Sequence, residues 1–227
     1  MNAGEERKHI AYLLPHTDVT SEMDCAAMLP GYVLHVERMW LDSVSEKAEQ
    51  HMVEEEFPRA LQYLKGVVPY HCAIFGCTSA SAANGRAGME ALERQMSQVL
   101  DCPAITALGA VLRGIEARQA KSVAVFTPYT QEVNRFFRAT LESFGVSVSW
   151  MAGMGLSDDG EIAALNPEAV FAFAEGQKAS FPGQTDLCFF ACTNVRAAEI
   201  RDRLAQCLGR PCITSNQCII DYIRSLP

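Results

Sequence analysis

The sequence predicts an α/β fold of two related halves, each built on a parallel sheet that is flanked by helices. Three observations carry this prediction. Apolar segments alternate with helical segments along the whole chain, which is typical of βαβ units. Several apolar segments are unbroken rather than alternating, as in a parallel sheet that is covered on both faces. Two segments half a chain apart, residues 72–80 and 188–195, also have nearly the same sequence.

In the first half, apolar runs that are bounded by proline, glycine or polar residues predict four strands, at residues 10–14, 32–38, 72–76 and 104–106. The segments between them have helical character and predict helices at residues 46–65, 85–100 and 107–117. Residues 66–69, Gly-Val-Val-Pro, form the predicted turn just before the third strand.

The second half repeats this order. Its strands are predicted at residues 122–126, 146–151, 187–191 and 212–214, and its helices at residues 131–144, 167–174, 196–208 and 216–225. Residues 181–184, Phe-Pro-Gly-Gln, form a predicted turn before the third of these strands. We therefore expect one α/β subdomain at residues 1–117 and a second at 118–215, with a C-terminal helix at 216–227 that can pack back on the first.

Composition and charge exclude several classes of protein. The chain has 227 residues, of which 49% are apolar and 20% charged, and no apolar run approaches the ~20 residues of a membrane span. A net charge of −8 offers no basic surface for nucleic acid. The polar, mixed-charge start of the chain does not resemble a secretory signal. We therefore expect a cytoplasmic globular protein that binds neither nucleic acid nor membranes, and a homo-oligomer is compatible with all of this.

Nine cysteines in a chain of this length, without a secretory signal, are expected to be reduced. No Cys-x-x-Cys pair occurs, so the sequence predicts neither a zinc site nor a redox disulfide, and we expect no metal and no cofactor. Two cysteines stand out, because Cys77 and Cys192 each end an apolar strand and are each followed by threonine and a second polar residue. The remaining cysteines are expected to be structural.

Active groups of parallel sheets collect beyond the carboxyl ends of the strands, where helix N-termini offer unpaired N–H groups. Thr78 and Ser79 after the first cysteine, and Thr193 and Asn194 after the second, would form a cradle for a carboxylate. We expect the same helix ends to lower the pKa of each thiol from its usual ~8.5.

Two thiols that face each other across a cleft could remove a proton from one side of a carbon and return one to the other side, which is racemisation or epimerisation without a cofactor. One thiolate could instead add to a double bond while the other thiol supplies a proton, which allows cis–trans isomerisation. The alternative is that both cysteines are structural, as most cysteines at strand ends are.

The chain resembles the aspartate/glutamate racemase superfamily, in the branch that contains maleate cis–trans isomerases and arylmalonate decarboxylases, and within it the ectoine-utilisation racemase-like proteins. Five short motifs carry the resemblance and occur in family order over nearly the whole chain. They are Thr17-Asp18-x-Thr20-x-Glu22, Gly76-Cys77-Thr78-Ser79, Thr127-Pro128-Tyr129, Cys192-Thr193-Asn194-x-Arg196 and Ser215-Asn216-Gln217.

The resemblance implies two subdomains that are related by a pseudo-twofold axis, with the substrate buried between Cys77 and Cys192. It also implies that Tyr129 belongs to the site, as a phenol that donates to a carboxylate or an enolate. The other interpretation of Tyr129 is an aromatic residue that packs in a turn. Arylmalonate decarboxylases have glycine at the first cysteine position, so the presence of Cys77 disfavours decarboxylation and favours chemistry on two faces of the substrate.

Two departures from the relatives bear on the substrate. Asp18 and Asp159 occupy positions where maleate isomerases carry asparagine, and two added negative charges should disfavour a dicarboxylate. Asp18 could alternatively orient or deprotonate Cys77, and Asp159 could equally be a helix N-cap.

We therefore expect a cofactor-independent racemase, epimerase or isomerase of a small carboxylate that carries nitrogen, such as an amino-acid derivative. A maleate cis–trans isomerase is the first alternative. A non-catalytic protein that binds a small carboxylate is an alternative of another class.

Overall fold

A computed structural model of the chain describes residues 7–227 and contains two four-stranded parallel sheets. Most of the polar N-terminal segment on which the expectation about a secretory signal depended lies outside the described residues. No helix within residues 7–227 has the length and apolar character needed to cross a membrane.

The first sheet has the order β2-β1-β3-β4, and all its neighbouring strands are parallel. Ile10 on the central strand β1 is paired with Leu34 on β2 and with Cys72 on β3. The strands are β1 (Lys8–Pro15), β2 (Tyr32–Met39), β3 (Cys72–Phe75) and β4 (Ala104–Thr106).

The second sheet has the order β6-β5-β7-β8, which is the order of the first sheet shifted by four strands, and it is also parallel throughout. Its pairing is irregular between Thr127 and Tyr129, around Pro128, which has no N–H to donate. The strands are β5 (Ser122–Tyr129), β6 (Ser147–Leu156), β7 (Leu187–Phe190) and β8 (Cys212–Thr214). The predicted α/β fold with two parallel sheets is confirmed.

Helices flank both sheets. They are α1 (Thr20–Met28), α2 (Glu46–His51), α3 (Phe57–Leu64), α4 (Ala80–Ala83), α5 (Gly85–Leu100), α6 (Ala107–Ala117), α7 (Gln131–Ser143), α8 (Asp159–Ala163), α9 (Pro167–Gln177), α10 (Arg201–Leu208) and α11 (Ser215–Ser225). A π-helical segment (Met52–Glu56) joins α2 to α3, and a 3₁₀ turn (Ala198–Ile200) precedes α10.

Three of these helices, α1, α4 and α8, are absent from the prediction, and the physical reason is clearest for α1. The buried face of α1 is largely polar, since it includes Thr20, Ser21 and Asp24, so no apolar periodicity marks it as a helix. The helix predicted at residues 196–208 also begins later, at Arg201, because residues 193–200 form turns and the 3₁₀ segment.

The two repeated Pro-x-Ile-Thr segments end at helix N-caps. The Thr106 hydroxyl accepts a hydrogen bond from the Gly109 N–H at the start of α6, at 3.0 Å, and the Thr214 hydroxyl accepts one from the Gln217 N–H at the start of α11, at 3.1 Å. Such caps satisfy donors that the first helical turn leaves unpaired. The repeat is thus the same strand-to-helix turn, which occurs once in each half of the chain, after the last strand of each sheet.

One apolar core extends across both sheets. Ile10, Tyr12 and Leu14 on one face of β1 belong to the same cluster of buried residues as Val123 and Phe126 of β5. Helix α6 contacts α11, β4 and β8, so it connects the two sheets. The subdomain boundaries, 1–117 and 118–215, remain a prediction.

A buried set of hydrogen bonds, the polar junction, joins the loops at the carboxyl ends of the two sheets. The Thr193 hydroxyl donates to the Gly76 carbonyl at 3.0 Å, and the Thr78 hydroxyl donates to the Ser215 hydroxyl at 2.9 Å. The Asn216 amide donates to a carboxylate oxygen of Asp24 at 2.7 Å and to the Thr193 carbonyl at 2.8 Å. Since these groups are buried, each bond satisfies a polar atom that water cannot reach.

We predict that Asn216→Ala lowers the free energy of unfolding by about 2 kcal/mol, because it leaves the buried Asp24 carboxyl without its amide donor. Denaturant unfolding measures the change. The control is Gln217→Ala, whose side chain pairs with Asp221 on an exposed helix face and whose loss should change stability by less than about 0.5 kcal/mol. Equal effects of the two substitutions would contradict a structural role for the polar junction.

Candidate active site

The two cysteines singled out by the sequence lie at equivalent places, two residues beyond the end of β3 and two residues beyond the end of β7. Both are buried: Cys77 is 6% exposed and Cys192 is 9% exposed. Gly76 lets the first strand end close to β1, because a Cβ at this position would lie 2.4 Å from side-chain carbons of Tyr12 and Leu14. The predicted proximity of the two thiols is consistent with their electrostatics, since the Cys192 thiol raises the pKa of Cys77.

The backbone at the second cysteine has an unusual conformation. Cys192 has a φ of +91°, in the region that favours glycine. Residues that are held in such conformations cost roughly 1–3 kcal/mol each and cluster at functional sites. This strain supports a functional role for the loop that follows β7.

Burial determines the protonation of both thiols. Burial raises the pKa of Cys77 and of Cys192 well above the usual value for a thiol. The backbone N–H groups of Ala80 and Asn194 act in the opposite direction, because they favour the two thiolates, but they do not offset the desolvation. The expectation that helix ends leave these thiols with a lowered pKa was therefore wrong for the ligand-free site. At Cys192 the reason is partly geometric, since turns rather than a helix follow it.

Tyr129 lies at the end of β5, close to both thiols. Its side chain is 1% exposed, and its pKa is raised well above the usual value by burial and then by Cys192 and Cys77. Its hydroxyl has no hydrogen-bond partner among residues 7–227. A buried phenol without a partner is an available donor for a ligand between the two cysteines.

The four residues of the predicted cradle do not have equivalent surroundings. Ser79 precedes α4 and its hydroxyl lies 3.9 Å from the Cys77 sulfur. The Thr78 and Thr193 hydroxyls donate to protein groups in the polar junction. Asn194 accepts from the Val19 N–H at 3.1 Å, and its amide nitrogen donates to backbone carbonyls. Thr193 thus joins the two thiol loops to each other, whereas Thr78 ties the first loop to α11 and Asn194 ties the second loop to the segments before α1 and at α8.

Asp18 is buried and makes hydrogen bonds at the start of α1. Its carboxylate accepts from the Ser21 N–H at 2.9 Å and from the Ser21 hydroxyl at 2.8 Å. Burial raises its pKa to about 6. Asp18 raises the pKa of Cys192, whereas the carboxyl that most strongly raises the pKa of Cys77 is that of Glu49. The structure therefore does not support Asp18 as the partner of Cys77.

Asp159 is the first residue of α8, but it is not the N-cap. That position belongs to Asp158, which accepts from the Glu161 N–H at 2.8 Å, so the N-cap alternative for Asp159 was wrong. Asp159 is buried, accepts a hydrogen bond from the Thr17 hydroxyl, and raises the pKa of both thiols. Its carboxyl is therefore close to the site, as the resemblance implied.

Glu49, on α2, is a residue of the site that the sequence patterns did not indicate. Its side chain is fully buried, its pKa is raised to about 8, chiefly by burial, and it raises the pKa of Cys77 and of Tyr129. A signal was available, because Glu49 lies three residues before the fully buried Met52 and so shares the inner face of this helical segment. An acidic residue at such a position is a candidate for function.

Within the part of the chain that the structure describes, no group of three or more histidine, cysteine or acidic side chains is arranged to hold a metal ion. The arrangement is instead two buried thiols, a phenol and three carboxyl groups. Such a set can move protons and can accept hydrogen bonds from a ligand.

Solved structures of similar fold include three of particular relevance. A maleate cis–trans isomerase from Nocardia farcinica, determined with a covalently bound succinylcysteine intermediate, has a TM-score of 0.88 at 19% identity and covers 97% of this chain and 93% of its own. A maleate isomerase from Pseudomonas putida has a TM-score of 0.86 at 20% identity, covering 96% and 92%. An arylmalonate decarboxylase has a TM-score of 0.78 at 20% identity, covering 96% and 92%.

Sequence relatives agree with the fold. A maleate isomerase from Nocardia farcinica is 25% identical over 177 residues, which are 74% of this chain and 70% of the relative. A maleate isomerase from Alcaligenes faecalis is 21% identical over 223 residues, which are 91% and 85%.

The match to a defined family covers most of the chain, since residues 11–223 match the arylmalonate decarboxylase family. Together with the maleate isomerase relatives, this match confirms the branch of the superfamily to which the motifs pointed. The chain belongs to the arylmalonate decarboxylase family.

Proposed function

We propose that the protein is a cofactor-independent isomerase of a small carboxylate, in which Cys77 and Cys192 are the paired acid and base. The observation that carries this proposal is the placement of two buried thiols at equivalent strand ends of two sheets, with the Tyr129 phenol next to both. The relatives in the same family include maleate isomerases, which supports an isomerase over a decarboxylase.

In the proposed reaction, one cysteine thiolate removes the proton from the carbon next to the substrate carboxylate. The other thiol donates a proton to the opposite face of the resulting enolate, and the configuration at that carbon is inverted. Tyr129 donates a hydrogen bond to the carboxylate or to the enolate oxygen. The N–H groups of Ala80 and Asn194 stabilise the thiolate form of each cysteine.

A second candidate is the cis–trans isomerisation of maleate, which the similarity to maleate isomerases supports. One thiolate would add to the double bond, the partner thiol would protonate the adjacent carbon, and rotation followed by loss of the thiolate and of a proton would give fumarate. The carboxyl groups of Asp18 and Asp159 oppose it, because a dianion would be placed beside buried acids. We therefore rank proton transfer on an amino-acid derivative above it.

A non-catalytic carboxylate-binding protein would need the backbone donors and Tyr129, but not the two thiols. This third candidate predicts binding without any turnover. It is separated from the other two by the variants described next.

We predict that the protein exchanges the α-proton of its substrate in D₂O. The panel contains L- and D-amino acids, their N-acetyl derivatives, 2,4-diaminobutyrate and maleate, and NMR follows the α and vinyl protons. Cys77→Ala and Cys192→Ala should each lower the rate of racemisation by roughly 10²–10⁴-fold, because each removes one of the two proton-transfer groups. The control is Cys207→Ala, which removes a half-buried thiol of α10 and should leave the rate unchanged.

Conversion of maleate to fumarate, without α-proton exchange in any amino acid, would establish the second candidate instead. Turnover that survives both cysteine substitutions would contradict a role for the thiols in either reaction. Binding of panel compounds without turnover would favour the third candidate.

We predict that Cys77 and Cys192 of the ligand-free protein react slowly with iodoacetamide at pH 7. Burial raises the pKa of both thiols, so the thiolate fraction, and with it the rate, should rise about tenfold for each pH unit up to pH 9. Mass spectrometry of the labelled peptides measures both rates, with Cys207 as the accessible reference thiol. A rate that reaches its plateau by pH 8 would show that the site lowers these pKa values after all.

A further inference from the structure

Glu49 has a buried carboxyl group that no group within residues 7–227 satisfies. The side chain is fully buried, yet neither carboxyl oxygen has a hydrogen-bond partner among residues 7–227. The Ser79 hydroxyl is close enough to favour the charged form, but it does not reach hydrogen-bonding geometry. Buried polar groups without partners are rare in native proteins, because each loses its interactions with water without replacement.

The unsatisfied carboxyl group is carried by α2, which packs against α4, the helix that follows Cys77. It raises the pKa of Cys77 and of Tyr129, so it is close to the first thiol and to the phenol. The Tyr129 hydroxyl is the second unsatisfied group here. The remaining charged groups that act on Glu49 are Asp159 of α8 and Glu46 of its own helix, and both are acidic.

The other two acids of the site already have partners. Asp18 accepts two hydrogen bonds from Ser21, and Asp159 accepts one from Thr17. Glu49 is therefore the carboxyl group with both oxygens available. Among the described residues, the charged groups with the largest effects on the two thiols are carboxyl and thiol groups, and none is cationic, so a ligand with a positive charge would be favoured here.

We propose that Glu49 binds an ammonium group of the substrate, and hence that the substrate is a carboxylate that also carries a protonated amine. This inference rests on the proposed function and names the class of substrate. The ammonium group would supply the donors that the Glu49 oxygens lack, and its positive charge would favour the thiolate form of the nearby Cys77.

The protonation of Glu49 should change when an ammonium group binds. With its pKa raised to about 8, the Glu49 carboxyl is mostly protonated at pH 7 in the empty site. An ammonium ligand favours the carboxylate, so binding should release up to one proton from Glu49 at this pH. A ligand that bound only through its own carboxylate would instead keep Glu49 protonated as a donor.

The test compares two ligands with the same four-carbon length, 2,4-diaminobutyrate and maleate, by calorimetry at pH 7 in two buffers of different ionisation enthalpy. We expect the wild-type protein to bind diaminobutyrate with net proton release. Glu49→Gln keeps the shape and a donor but cannot carry a charge, so it should bind diaminobutyrate at least tenfold more weakly and release no proton. Glu54→Gln, at an exposed position of the π-helical segment that follows α2, is the matched control and should behave as wild type.

Three results would overturn the proposal: no binding of diaminobutyrate by the wild-type protein, unchanged affinity in Glu49→Gln, or binding without proton release. Weaker binding of maleate by Glu49→Gln would show that Glu49 recognises a carboxylate instead. Diaminobutyrate binding that depends on Glu49 but gives no turnover would support this inference while contradicting the proposed function, so the two failures are distinguishable.

Thermal unfolding as a function of pH tests whether the Glu49→Gln variant is folded. Because the pKa of Glu49 is higher in the folded chain than in the unfolded one, its contribution to stability is full below about pH 4 and is lost as pH rises through about 8. Thermal unfolding of the wild-type protein should therefore show a loss of stability between about pH 5 and 8 that Glu49→Gln reduces. A fully folded variant at pH 7 ensures that weaker binding reflects the lost charge.

Discussion

The hydrogen bond from the Thr193 hydroxyl to the Gly76 carbonyl joins the two segments on which the chemistry depends. Thr193 follows one candidate catalytic cysteine and Gly76 precedes the other, so this single contact ties the two thiol positions to each other. The Thr78 hydroxyl makes a second link to Ser215. A site assembled from two sheets needs such ties, because the distance between two reacting groups must be held to a fraction of an ångström for efficient proton transfer. The threonine after each cysteine thus links the site to the fold.

The close contact between the two thiol loops excludes water, and this exclusion sets the electrostatics of the site. Desolvation is the largest cause of the raised pKa at both thiols, at Tyr129 and at Asp18 and Glu49. A ligand must therefore bring its own charge and hydrogen bonds into a nearly dry region. The Val44 N–H donates to the Ser157 carbonyl at 2.7 Å, which joins the segment before α2 to the segment before α8. Entry between these segments would break one backbone hydrogen bond, a modest expense of about 1 kcal/mol.

The sequence predicts the strands well because their apolar runs are continuous, and it predicts the equivalent positions of the two cysteines at strand ends because their surroundings are repeated. It predicts the electrostatics poorly. The effect of a helix end on a thiol is local and visible in the sequence, whereas burial depends on how the two sheets meet. Helix α1 was missed because its inner face is polar, and Glu49 was missed because an acidic residue on a helix is usually exposed. The spacing between Glu49 and Met52 indicates an inward position, but the environment of the carboxyl group is created by packing between distant segments.

At position 192, backbone stability and the proposed chemistry favour different residues. Its φ of +91° suits glycine, so a change to glycine would relieve backbone strain while it removes the thiol. If selection for activity were relaxed, this position would be among the first where a stabilising substitution could spread. A copy of the gene that lost its original role would then become a more stable protein with a single site cysteine. Glycine at this position would thus exchange the thiol for stability, and active purifying selection is what would keep the cysteine.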